Sequence, residues 1–161
     1  MSDISTRIRP ATEHDVEALG RLGAHLMRAH YAFDQRRFMN PGSSPEDGYA
    51  WFLGSQLRDP EVVVIVAERD GRVVGYVYAG LEPLSWKELR DAAGFIHDVV
   101  VEEGSRRAGV ASALVEAAVA WLKEHGAPRV LLWTAQPNEE AQRLFERLGF
   151  RRTMVEMTRE L

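Results

Sequence analysis

The sequence predicts an α/β fold: a mixed, mostly antiparallel sheet with helices on both faces. Two observations carry that expectation. The β-branched run Val62 to Ala67 is followed by Asp70-Gly71 and a second run from Val73 to Ala79, the pattern of an antiparallel hairpin. A strand–helix–strand unit from 95 to 134 requires parallel strands joined by a right-handed crossover. At 161 residues, with 45% hydrophobic and 27% charged residues, the chain suits one domain spanning 1–161 with a substantial core.

Taken in order, Ile8 and Arg9 before Pro10 predict a short first strand. Thr12-Glu13-His14-Asp15 has the spacing of a capping box, and Val16, Leu19, Leu22 and Leu26 then recur at helical spacing to about His30. Asn40 to Ser43 is a loop, and Ser44-Pro45-Glu46-Asp47 starts a second helix with Pro45 in its first turn. The hairpin strands follow, then a variable segment, Leu81 to Ala93, and a strand from Phe95 to Val101. A helix carries Val110, Leu114, Ala117, Trp121 and Leu122 and ends at Gly126 and Pro128. Val130 to Thr134 reads as a strand, Asn138 to Leu148 as a helix stopped by Gly149, and Phe150 to Thr158 alternates like a final strand. Trp121 and Trp133 read as core, and Tyr76 and Tyr78 as packing.

Composition removes several function classes. The chain has no cysteine, which excludes disulfides, thiolate catalysis and cysteine-ligated metal centres. A net charge of −4 gives no global basic field for nucleic acid. The longest apolar run is far too short to span a bilayer, and MSDISTRIRP lacks the apolar core of a secretory signal. A cytoplasmic protein that binds neither membrane nor nucleic acid is therefore expected. His25 and His30 are five residues apart and do not stack on one helical face, so no metal pair is expected there.

The informative stretch is the turn Arg106-Arg107-Ala108-Gly109-Val110-Ala111, which links a buried strand to a helix. The first N–H groups of that helix lack intrahelical partners and suit an anion. Gly109 and Ala111 let a phosphate approach the backbone, and the two arginines offer forked donors. The turn has neither the Gly-Lys-Ser/Thr ending of a P-loop nor the three glycines of a dinucleotide fingerprint.

This turn, taken with Asn138 to Phe150, resembles the GNAT superfamily of N-acetyltransferases. The family's Gln/Arg-x-x-Gly-x-Gly/Ala is matched by Arg106, Gly109 and Ala111. Its later Asn-x-x-Ala-x-x-x-Tyr-x-x-x-Gly-Phe is matched by Asn138, Ala141, Gly149 and Phe150. The resemblance implies acetyl-CoA as co-substrate and a primary amine, on a small molecule or a peptide, as acceptor. It implies that the strand pair around 95–101 and 130–134 splays and that pantetheine pairs with the backbone around Val99 and Val101. The pyrophosphate would lie on the amides of Arg106 to Ala111, and Asn138 would face the arm. A backbone N–H near Val99 or Val100 would polarise the acetyl carbonyl. A homodimer is also within the family's range.

One position departs from the pattern. Phe145 stands where the family carries a tyrosine that protonates the leaving thiolate; it can pack against the cofactor but has no proton to give. A non-catalytic acyl-CoA-binding or sensing domain therefore stays open, as does a nucleotide-binding regulatory module using the same helix terminus. For the base that takes the proton of the amine, the candidates are His97 and Asp98, which a regular strand would point to opposite faces. His30, Tyr31 and Trp86, together with Asp34 and Arg37, lie in the variable segments expected to shape the acceptor pocket.

Overall fold

A computed structural model describes residues 5–106 and 108–161, so the expectation for Arg107 lies outside the described residues. Strand β1, Arg7–Pro10, leads to a capping turn in which the Thr12 N–H donates to the Asp15 carboxylate at 2.8 Å. The Arg9 guanidinium grips the same carboxylate at 2.8 and 2.9 Å. Helix α1, Val16–Phe33, runs three residues beyond the expected end and is followed by α2, Pro45–Gln56. Strands β2, Val62–Arg69, and β3, Arg72–Glu82, meet at Asp70 and Gly71, whose φ values of 50° and 74° supply the left-handed pair that a tight hairpin needs. Strand β4, Ala93–Val101, helix α3, Val110–Glu124, strand β5, Val130–Leu132, and helix α4, Glu139–Arg147, complete the order.

The five strands lie in sequence order, antiparallel from β1 to β4 and parallel between β4 and β5. The expected mixed, mostly antiparallel sheet is therefore present. Alternation along β2 divides the core into two layers: Val63, Ile65 and Ala67 pack with Leu114, Val115 and Leu122 of α3 and Phe145 of α4. Val64 and Val66 face the other way, onto Leu19 and Leu22 of α1 and Leu53 of α2. Each of those leucines is almost wholly buried and contributes about 1.5–3 kcal/mol of apolar transfer free energy.

Three expectations fail. β5 stops at Leu132, and Trp133 is 72% exposed because β5 is the sheet edge and no layer covers its end. Phe150 to Thr158 forms no strand; from Arg151 onward every residue is exposed and unpaired with the sheet. The third concerns His97 and Asp98 and is set by the register of β4 on β3.

Candidate active site

Tyr78 pairs with Asp98 and Ala79 with Ile96, so β4 carries one extra residue, His97, at a bulge. The bulge breaks strict alternation. Ile96 and Val99 pack on the α3 side, whereas His97 and Asp98 both meet residues of the α1/α2 side. The opposite-face expectation for this pair is thereby corrected.

The His97 ring lies between Phe95 and Tyr78, each with its centroid 4.9 Å away. Its Nε2 is 3.2 Å from Glu82 Oε1. With Nε2–H donating to the carboxylate, the Nδ1 lone pair is free to accept a proton. The Asp98 carboxylate accepts hydrogen bonds from the hydroxyls of Tyr49, at 2.8 Å, and Tyr76, at 2.9 Å. Burial pushes the Asp98 carboxyl above its usual range, while the two hydroxyls, His97 and His30 pull it back. Burial and the neighbouring Asp98 charge push the Tyr78 hydroxyl up to about 12, and raise Tyr49 and Tyr76 further. All three phenols therefore stay protonated at neutral pH and serve as donors.

Edge and stacking contacts extend this cluster into a continuous aromatic wall. Tyr49 meets Phe52, Phe52 meets Tyr78, and beyond His97 and Phe95 the row reaches Trp133 at 5.2 Å. His30 closes one side from the end of α1; its Nδ1 lies 2.9 Å from the Leu26 carbonyl, which leaves Nε2 as the free ring nitrogen. Among the described residues, no ring contact or hydrogen bond joins Tyr31 or Trp86 to His97 or Asp98, and Trp86 is 86% exposed. Sequence reasoning passed over Glu82, Tyr49 and the hydroxyl of Tyr76. The spacings Tyr76-x-Tyr78 and Phe95-x-His97 were the available signal, since period two places each pair on one face.

On the other side of β4 the sheet opens. Only Gly94, Phe95 and Ile96 pair with β5, against Val130, Leu131 and Leu132, so the two strands part beyond Ile96. The Glu102 N–H donates to the Val74 carbonyl, which fixes the backbone groups of Asp98 and Val100 toward β3. Those of Val99 and Val101 consequently face the gap. The Val101 carbonyl is met there by Arg106 Nε at 3.2 Å, so Arg106 lies along the strand end and is not simply solvated.

The gap leads to the start of α3. Gly109 adopts φ 75° and ψ 8°, a left-handed conformation that glycine adopts without a side-chain clash, and nothing among the described residues stands within 4 Å of where a Cβ would be. The first intrahelical bond runs from Ala113 N–H to the Gly109 carbonyl, leaving the N–H groups of Val110, Ala111 and Ser112 without intrahelical acceptors. No acidic residue sits in that first turn, so the positive end of the helix is uncompensated. Ala108 precedes it at the open surface. Asn138 caps α4, its Oδ1 accepting the Ala141 N–H at 3.2 Å, and keeps its side-chain NH2 as a further donor. Phe145 is buried against the α3 layer with its ring on Phe150. Among the described residues no group of three or more His, Asp or Glu is gathered in a way that could hold a metal ion. No helix among them is long and apolar enough to cross a membrane.

Comparison with known proteins gives the family and the fold. Residues 23–150 match the acetyltransferase (GNAT) family. An N-alpha-acetyltransferase of Sulfurisphaera tokodaii is 32% identical over 130 residues, covering 76% of each chain. A mycothiol acetyltransferase of Thermomonospora curvata is 32% identical over 121 residues, which are 70% of this chain but only 37% of that protein. The solved aminoglycoside N-acetyltransferase AAC(6')-Iy in complex with CoA superposes with a TM-score of 0.76 at 19% identity, over 98% of this chain and 95% of that one.

Proposed function

The chain belongs to the acetyltransferase (GNAT) family, and on that premise we propose that it moves the acetyl group of acetyl-CoA to a primary amine by direct attack on the thioester. The observation that carries the reading is the gap between β4 and β5, which runs from Val99 and Val101 to the uncapped start of α3. Pantetheine amides fit the free backbone groups of Val99 and Val101, with Arg106 leaving the Val101 carbonyl as the arm enters. The pyrophosphate rests on the amides from Ala108 to Ala111, with Arg106 and Arg107 supplying charge and Asn138 reaching the arm from α4. Because Val100 is turned to β3, the N–H of Val99 is the donor that stabilises the oxyanion.

His97 takes the proton of the amine, directly or through one water, with Glu82 holding the ring at Nε2. The nitrogen lone pair then attacks the acetyl carbon, the nitrogen gives its surplus proton to solvent, and the C–S bond breaks as the tetrahedral intermediate collapses to the amide. Phe145 supplies no proton, so CoA departs as the thiolate and is protonated by solvent. Asp98 stands beside His97 as the negative charge that attracts an ammonium, and His30, Tyr31 and Trp86 complete the acceptor side from the surrounding segments. The relatives' names cover a peptide amine and small molecules, and the acceptor belongs to one of those classes. The described chain acts as one catalytic unit, in the cytoplasm.

Release of the CoA thiol from acetyl-CoA, followed across a panel of small-molecule and N-terminal peptide amines, tests the reading. At least one amine is expected to turn over, and His97→Gln is expected to lower kcat about 100-fold or more at unchanged acetyl-CoA KM. The buried Phe145 favours a second reading, an acyl-CoA sensor without turnover. Binding of acetyl-CoA with no thiol release for any amine would select it.

A further inference from the structure

Of the 20 lysines and arginines in the chain only two are lysines, Lys87 and Lys123. The chain thus carries very few side-chain amines of its own. Lys123 stands in the last turn of α3, where a cation offsets the negative end of the helix. Lys87 is exposed at the tip of the β3–β4 connection, where the neighbouring Glu88 is taken by Arg90 instead.

The tip is held in shape by its own bonds. Ser85 and Arg90 exchange both backbone hydrogen bonds, at 2.9 and 3.1 Å. The Arg90 guanidinium lies largely buried beneath them and donates to the Pro83 and Asp91 carbonyls at 3.2 and 3.0 Å as well as to Glu88. Leu89 sits at φ 51°, a left-handed conformation that strains a leucine, and is nevertheless 91% exposed. Trp86, next to Lys87, is 86% exposed. A pre-shaped tip therefore presents one lysine amine between apolar side chains that stand in water.

That surface complements the acceptor side, where the row of rings from Phe52 to Trp133 offers apolar faces and the Glu82 and Asp98 carboxylates offer negative charge. Resting on the acetyltransferase reading above, we propose that the chain acetylates itself at Lys87, the tip of one copy entering the acceptor side of a second. The transfer does not run within one copy. The acetyl carbonyl is assigned to the Val99 N–H, about 20 Å along β4 from Ala93, where the tip joins the strand, and a lysine side chain does not span that distance. His97 of the receiving copy takes a proton from the Lys87 ammonium, directly or through one water. The Nζ lone pair then bonds the acetyl carbon, the nitrogen gives its surplus proton to solvent, and the C–S bond breaks with CoA leaving as the thiolate. The products are Nε-acetyllysine and CoA. The tip thereby loses the cation that drew it to the acceptor side, so each chain is modified once.

Two full-length variants test the transfer. The Lys87→Arg chain keeps the catalytic machinery and lacks the acceptor, and the His97→Gln chain keeps the acceptor. The two are mixed in acetyl-CoA without added amine, and peptide mass spectrometry reads acetylation of Lys87, with Lys123 on the same chain as the gauge of uncatalysed reaction. In the mixture Lys87 is expected to be acetylated at least about 10-fold faster than Lys123, at a rate proportional to the Lys87→Arg concentration. In the His97→Gln chain alone the two lysines are expected to react alike. A Lys87 modified no faster than Lys123 in the mixture, or equally fast in the His97→Gln chain alone, would overturn the proposal. Thiol release by the Lys87→Arg chain across the amine panel is expected to match the wild type. Turnover there beside an unmodified Lys87 removes this inference alone, whereas transfer to no amine at all removes the proposed reaction with it.

Discussion

Gly23 on α1 and Tyr49 on α2 occupy one space: a Cβ at Gly23 would lie 2.0 Å from Tyr49 Cδ1. One turn earlier, a Cβ at Gly20 would lie 2.5 Å from the Glu46 carbonyl oxygen. The absence of these two side chains lets the helices approach closely enough for the Tyr49 hydroxyl to reach Asp98. A packing detail of the helical layer thus sets the geometry around Asp98, on the proposed acceptor side.

Gly23→Ala is accordingly expected to cost about 1–3 kcal/mol through overpacking and to displace the Tyr49 ring. Denaturant unfolding measures the first effect. Steady-state kinetics measures the second, as a raised acceptor KM with the acetyl-CoA KM unchanged, since the cofactor gap lies on the other side of β4.

Asp98 makes stability fall with rising pH. Its carboxyl holds a proton more tightly in the folded chain than at the ordinary value of 3.8, so the folded state is favoured at low pH and loses that advantage as pH rises through the folded value. Asp98→Asn removes the titration and retains an acceptor for the tyrosine hydroxyls. The variant is expected to gain stability on the wild type progressively above pH 3.8, levelling off once the wild-type group is ionised. Thermal unfolding over the acid range checks both the sign and the plateau.

Asp15 behaves in the opposite sense. The Arg9 guanidinium and the Thr12 N–H hold its carboxyl below 3.8, so its stabilisation is complete above that value and is lost as pH falls through the folded one. Asp15→Ala breaks the pair and the cap together. It is expected to cost about 2 kcal/mol at neutral pH and progressively less in acid.

Glu82 is proposed to position His97 by holding the ring at Nε2. Glu82→Gln keeps shape and a hydrogen-bonding atom but loses the carboxylate that accepts from Nε2. kcat is expected to fall with the acetyl-CoA KM and the unfolding midpoint unchanged. An unchanged kcat would remove Glu82 from the mechanism.

Most of the framework was legible because it rests on short-range signals. Asp70-Gly71 announces its own left-handed turn, Thr12 and Asp15 their own cap, and the alternation of β2 its two core layers. What was not legible depends on partners distant in sequence. The bulge at His97 arises only from the register of β4 on β3, and it alone brings His97 and Asp98 to one face. Trp133 reads as core until the sheet order makes β5 an edge. Phe150 to Thr158 has the composition of a strand, but Arg152 is held at Glu146 and Gln142 and Glu156 at Arg37, contacts distant from the sheet that the pattern does not announce. Arg106 was legible as a cation near the turn; that its Nε bonds the Val101 carbonyl depends on the fold of the whole turn.

Calorimetric titration of the folded chain with acetyl-CoA tests the central claim most directly, with Gly109→Glu as the paired variant. The left-handed backbone at Gly109 predicts that a glutamate there adds strain, and it would place a negative charge at the proposed pyrophosphate site. Wild-type binding of acetyl-CoA that the folded Gly109→Glu protein lacks is the predicted result. A folded wild type that does not bind acetyl-CoA, or a variant that binds it equally well, would contradict the account.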